Sequence, residues 1–232
     1  MNANQSIERI KRIGGGLALI LMPLMLLSGF LMHPNLMSLE LIRDADVWVR
    51  EWRGNRIFHV GHLIVLLAVP VIITVAVRSM RYRSTRGDWP IFLGGVLGVF
   101  GAFVLAVDKG ALTLVLTAFD TLSDAELVQI APALQVLLDR EGWLWLVQFL
   151  ILLPLGFALQ AVGLARARVI SKARAWVIVV GLLLLLAGDI EIVTAAGAAL
   201  MCVGYIPMGI RELRGELNSA DVARSPSELI SV

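Results

Sequence analysis

Hydrophobic positions along this chain come in long unbroken runs rather than in short alternating stretches. Nearly charge-free segments occupy residues 13–32, 57–77, 89–108, 143–165, 174–188 and 191–210. Each is close to the length an α-helix needs to cross a hydrocarbon core of roughly 30 Å at about 1.5 Å per residue. Strands of a transmembrane barrel would alternate apolar and polar residues, and none of these runs does. The pattern predicts an all-α fold, a polytopic transmembrane helical bundle. Six helices form a single domain over residues 1–216, followed by a polar tail at 217–232.

Two gaps between the runs are long and amphipathic. Residues 33–56 mix charges with Leu36, Leu39, Ile42, Val47 and Trp48, a pattern that predicts a short helix lying on the membrane surface. Residues 109–142 open with the apolar GALTLVLTAF, which can prolong the third run beyond the bilayer. They continue through Ser-Asp-Ala-Glu at Ser123–Glu126, the capping-box spacing in which Ser accepts from an amide three residues on and Glu reaches back. Leu127, Ile130, Ala131, Leu134, Leu137 and Leu138 follow at helical spacing, and Pro132 is expected to kink or split that helix. Together the two gaps predict a lid over one end of the bundle.

Charge supplies the orientation. Basic residues cluster at Arg9–Arg12, Arg78–Arg86, Arg166–Arg174 and Arg211–Arg224; these hold 14 of the 20 Lys and Arg, and the side they mark holds only 6 of the 18 acids. The positive-inside rule puts all four clusters on the cytoplasmic side, with both termini. That leaves +8 on the inner face and −6 on the outer. The last excursion, 36 residues between Arg174 and Arg211, is too long for one span and short for two, so five helices with an outer C-terminus is the alternative topology. A first run of this length without an A-x-A-like site after it reads as a retained helix, not a cleaved signal. The six tryptophans fall near run ends, as interfacial aromatics do. Gly94, Gly98 and Gly101 predict close helix packing, and Pro70 and Pro154 fall inside spans.

The candidate chemistry gathers at one depth. The chain has only three histidines: His33 ends the first run, and His59 and His62 open the second. Asp108, Lys109, Glu141, Asp189 and Glu191 lie at the same outer level, whereas the inner halves of the runs offer only Thr74, Gln160 and Tyr205. Ionisable groups at membrane depth are costly and usually face the bundle, where they pair. This convergence predicts an outward-facing His/carboxylate pocket.

Three uses of such a pocket remain open. His59 and His62 with Asp108, Asp189 and Glu191 could hold a divalent metal. His33 with His59 or His62 could be axial ligands of haem b. The same groups could serve as protonatable residues of a transporter or pH sensor. Met22, Met25, Met32 and Met37 invite a copper(I) reading, but methionine is also ordinary packing material. A single cysteine, Cys202, excludes an internal disulfide. No G-x-S-x-G, H-E-x-x-H or P-loop motif is present.

The stretch Phe149–Leu183, with Trp145, Pro154, Leu155, Gly156 and Gly163, resembles the corresponding part of uncharacterised bacterial multi-pass membrane proteins. In these an aromatic and a PLG helix precede a basic turn and another apolar helix. The resemblance implies a bacterial inner-membrane location and no assigned activity.

The sequence thus predicts an integral membrane binding or sensory protein. It would hold a metal ion or small ligand at its outer face, with the lipid bilayer and possible partner membrane proteins as surroundings and no nucleic acid. A haem-binding redox protein is the alternative, and a metal-dependent intramembrane enzyme comes third.

Overall fold

The computed structural model describes residues 3–82, 87–187 and 190–217, and among them there is no strand. The helices are α1 (Ala3–Leu31), α2 (Ala45–Trp52), α3 (Arg56–Ser79), α4 (Asp88–Phe119), α5 (Asp124–Asp139), α6 (Leu152–Arg166), α7 (Lys172–Leu184) and α8 (Glu191–Leu213). A ten-residue 3-10 stretch, Gly142–Ile151, leads into α6, and a 3-10 turn, Leu185–Ala187, ends α7.

Local chemistry fixes several boundaries. Asn55 caps α3, its side chain accepting from the Phe58 amide at 3.2 Å, and Ser171 caps α7 through the Arg174 amide. The capping box at α5 forms as its spacing predicts: the Ser123 hydroxyl accepts from the Glu126 amide and Glu126 accepts from the Ser123 amide at 2.8 Å. Pro132 does not split α5. The bond it removes would end on the carbonyl of Val128, whose residue is 73% exposed, so solvent can satisfy that oxygen.

The third apolar run is prolonged as its sequence suggested. α4 continues through GALTLVLTAF to Phe119, and the hydroxyls of Thr113 and Thr117 donate to carbonyls one turn back, so they add no unsatisfied group. The run at 143–165 is not uniform either. Its first part is wound as a 3-10 helix, and Pro154 falls in the first turn of α6, where a missing N–H costs no helical bond.

Six helices close into a ring in which α1 packs on α3, α3 on α4, α4 on α6, α6 on α7, α7 on α8 and α8 back on α1. Neighbours approach at glycines. Gly29 faces Gly61 between α1 and α3; Gly94 and Gly98 face Gly156 between α4 and α6. Gly181 faces Gly197 between α7 and α8, and Gly16 faces Gly209 where α1 meets α8. Contacts between α4 and α6 run from Gly87 with Gly163 to Gly101 with Leu153, so these two helices are antiparallel. Small residues let helix backbones touch, which replaces the hydrophobic drive that lipid does not supply.

Leu19, Met22, Ile72, Phe157, Ile178 and Tyr205 fill the ring, and the Gln160 amide ties three helices by donating to the Ala76 and Ile91 carbonyls. The outside carries exposed Leu17, Leu21, Phe100, Phe103 and Val203. An apolar exterior on helices of this length is what a bilayer requires. Five helical stretches are long and apolar enough to cross a membrane: Asn4–Leu31, Arg56–Ser79, Asp88–Phe119, Asp124–Arg166 and Glu191–Leu213. α7, with thirteen residues, is shorter than these.

One end of the ring is held by a buried cluster. Glu212 of α8, 1% exposed, pairs with the Arg78 guanidinium at the end of α3 and accepts from the Tyr82 hydroxyl. Arg78 also lies over the Tyr82 ring, 5.7 Å from its centroid. Burial, followed by the Glu212 contact, raises the Tyr82 hydroxyl well above the usual phenol range, so it remains a donor.

Candidate functional site

The opposite end of the ring carries the histidines under a lid. The lid consists of the 33–44 loop, α2, α5 and the corner that follows α5. α2 and α5 pack on each other and exchange polar bonds: the Ala45 amide donates to Gln135 Oε1 at 2.9 Å, and Gln135 Nε2 donates to the Arg43 carbonyl. Arg53 donates to Asp124 and to the Leu122 carbonyl. A small core of Trp52, Phe58 and Leu116 anchors α2 to α3 and α4. Trp52 is fully buried, unlike Trp89, Trp143 and Trp176, which are largely exposed as interfacial residues are. Its position near a run end had pointed to the interface; in the fold it is the lid's anchor.

Beneath the lid a cavity of about 300 Å³ is lined by His33, His62, Asp108, Lys109, Glu51 and Glu191, with apolar contributions from Phe30, Phe58 and Leu112. The size is at the lower end of the range for small-ligand sites. His33 follows the last turn of α1, and its Nδ1 lies 3.0 Å from Glu191 Oε2 at the start of α8. The His33 and His62 rings meet edge to face, with centroids 5.0 Å apart. His62 Nδ1 is 3.2 Å from the Phe58 carbonyl oxygen, which can only accept. The proton therefore resides on Nδ1, and Nε2 is left as an acceptor with no partner among the described residues.

Two of the acids have close partners. Lys109 Nζ lies 3.3 Å from Asp108 Oδ2, and Glu51 accepts from the Asn35 side chain. Burial, and then the neighbouring Glu191, raise the Glu51 carboxyl above its ordinary value, partly opposed by His33.

The structure separates the two histidines of the H-x-x-H pair. His62 lines the cavity, whereas His59 does not: its Nε2 sits 2.8 Å from Asp120 Oδ2 at the end of α4. His33, His62, Asp108 and Glu191 are brought to one chamber, and Asp189 lies outside the described residues. Among the described residues no three His, Cys, Asp or Glu side chains form a group that could hold a metal ion. The direct contact between the His33 and His62 rings leaves no gap for a porphyrin between them, and His59 is engaged by Asp120. As arranged, these residues do not fit a haem.

Three functional positions were not visible in the sequence. Asp120, at the end of α4, belongs to no motif. Arg140 caps α5 in the left-handed region at φ 56° and lines the cavity. Glu212 shares the last basic cluster with Glu216 and Asp221, and no spacing singles it out.

The fold and the site together define a multi-pass helical membrane protein with a polar chamber at one end of a helical ring. No protein-family model, curated protein or solved structure matches the chain.

Proposed function

We propose that the protein is a membrane binding or sensory protein that takes a small ligand into the His/carboxylate chamber at its outer face. The observation that carries this reading is the convergence of His33, His62, Asp108 and Glu191, from four elements distant in sequence, on one lidded cavity. A merely structural bundle has no need to gather costly ionisable groups around a void. The unpartnered His62 Nε2 offers a lone pair to a hydrogen-bond donor or a metal.

The orientation follows from charge: the end with Arg78 and Glu212 faces the cytoplasm and the lid faces outward. We read α7 as a sixth, short crossing. It starts in the basic turn, and the helix after it begins at Glu191, level with His33. Contact of α1 with α8 and of Arg78 with Glu212 supports both termini lying on one side. A C-terminal reporter active only outside the cytoplasm would overturn six crossings.

The ligand reading is tested by native mass spectrometry and elemental analysis of protein extracted from its own membrane. The expected result is one bound small molecule or metal per chain, reduced in His62→Ala and Glu191→Gln. A stoichiometric metal would favour the divalent-metal form of the reading. Nothing bound in the unmodified protein would overturn it.

A further inference from the structure

We propose that the ligand is an acidic amphiphile, with a carboxylate or phosphate head at the chamber floor and a hydrocarbon tail in the middle of the ring. This rests on the reading above and names the chemical class of the ligand.

A second cavity, of about 360 Å³, lies inside the ring. Every ring helix contributes an apolar wall to it: Met22, Val65, Leu105, Phe157, Leu182 and Met201 come from α1, α3, α4, α6, α7 and α8. Protein interiors are close-packed, and a space this large left empty forfeits dispersion contacts; Ile151 and Leu186, exposed on the outside of the bundle, also line it, so it is open to the surroundings there. Its wall is mostly apolar, apart from Asp108, Lys109, Arg140, Gln148 and Thr194. Hydrocarbon is the occupant that matches both its size and its surface.

The two cavities adjoin. Phe30, Asp108, Lys109, Arg140 and Val147 line both, so a molecule with its tail in the inner cavity presents its head at the level of Asp108, Lys109 and Arg140. The acids there are already engaged: Asp108 by Lys109, Glu191 by His33 and Glu51 by Asn35. Glu40 lines only the upper cavity and is exposed. Arg140 has no ion-pair partner among the described residues, and its guanidinium offers a planar fork suited to carboxylate or phosphate. Among the residues that line both cavities, two cations, Lys109 and Arg140, stand against one acid, Asp108.

The test is native mass spectrometry of the full chain in a sterol-based detergent, which has no alkyl tail to compete. Probes are n-alkyl phosphates, n-alkyl carboxylates and n-alkyltrimethylammonium ions of increasing chain length, with inorganic phosphate and acetate as tail-less controls. Affinity is expected to rise about fourfold per methylene until the chamber is filled. Anionic heads should bind about tenfold tighter than the cationic head of equal length, and the tail-less anions should not bind measurably. Arg140→Gln should erase the head preference but keep the chain-length dependence, and Arg140→Lys should retain most of the preference. Leu105→Trp, or the milder Met201→Phe, should lower the limiting chain length with the head preference unchanged.

Affinity independent of chain length, a cationic head binding as well as an anionic one, or a limiting length unmoved by both cavity-filling variants would overturn the proposal. A metal or tail-less solute bound in a His62-dependent way would overturn it while leaving the ligand-chamber reading intact. Absence of any bound species from the native membrane would overturn that reading itself.

Discussion

Asp120 holds His59 and Gly54 together: one carboxylate oxygen lies 2.8 Å from His59 Nε2 and the other accepts from the Gly54 amide at 2.9 Å. A single side chain thereby ties the corner between α2 and α3 to the end of α4, and His59 works for the lid rather than the chamber. Asp120→Ala removes the hydrogen bond from Gly54, worth about 1 kcal/mol, together with the carboxylate beside His59. Hydrogen exchange over residues 45–56 should accelerate by about tenfold or more, with Asp120→Asn intermediate because it keeps an acceptor for Gly54. Unchanged exchange in the alanine variant would refute the clasp.

At the other end, Glu212→Ala strands the Arg78 charge in a mostly buried position. Loss of one partner of a buried pair costs about 3–5 kcal/mol, whereas replacing both by apolar residues is often close to neutral. Thermal unfolding in detergent should show a large drop in Tm for Glu212→Ala and substantial recovery in Arg78→Met combined with Glu212→Leu. Tyr82→Phe, which removes one hydrogen bond, should cost about 1 kcal/mol. If the double variant is no more stable than Glu212→Ala, the cluster is not an isolated pair.

Two glycines of the same chain should respond in opposite directions. A Cβ on Gly94 would come within 2.5 Å of the Gly156 carbonyl oxygen and 2.6 Å of the Gln160 amide nitrogen, both backbone atoms that cannot turn aside. Gly94→Ala should destabilise by about 1–3 kcal/mol by prising α4 from α6. A Cβ on Gly14 meets nothing within 4 Å. Gly14→Ala should therefore stabilise α1 by about 0.5–1 kcal/mol. Equal Tm shifts for the two would contradict the packing described.

Glu51 makes the lid sensitive to pH. Its carboxyl is raised in the folded protein, so folding favours the protonated form. The stability it permits is fully present below the unfolded carboxylate pKa and declines as pH rises through the folded value. Exchange over α2 should quicken as pH climbs out of the acid range, after correction for the intrinsic pH dependence of exchange. Glu51→Gln, which can still accept from Asn35, should flatten that profile; a slope identical to the parent's would assign it to another group.

Hydropathy made the helical runs legible because a bilayer demands long apolar segments, and the capping box at Ser123 was legible because its chemistry is local. The level at which His33, His62, Asp108 and Glu191 meet could be inferred from run ends and charge alone. What could not be read was azimuth. His59 and His62 are three residues apart on one helix, yet a modest rotation sends one to Asp120 and the other to the chamber. The 3-10 winding of Gly142–Ile151 was equally hidden, since its composition is that of any apolar span. The inner cavity could not be foreseen either, because a void is a property of how six surfaces meet and no single segment encodes it.

The contact of α1 with α8 has a consequence for synthesis. Of the ring helices described, α1 meets its neighbour α8 only after the other four, α3, α4, α6 and α7, have been made, so the contact that closes the ring spans a long stretch of sequence. Contacts of that kind form late and slowly. Until α8 arrives, the inner cavity has an open seam between α1 and α7, Glu191 is not yet there to meet His33, and Arg78 waits without Glu212. A chain halted before residue 191 would therefore carry most of the apolar helices and none of the finished chamber.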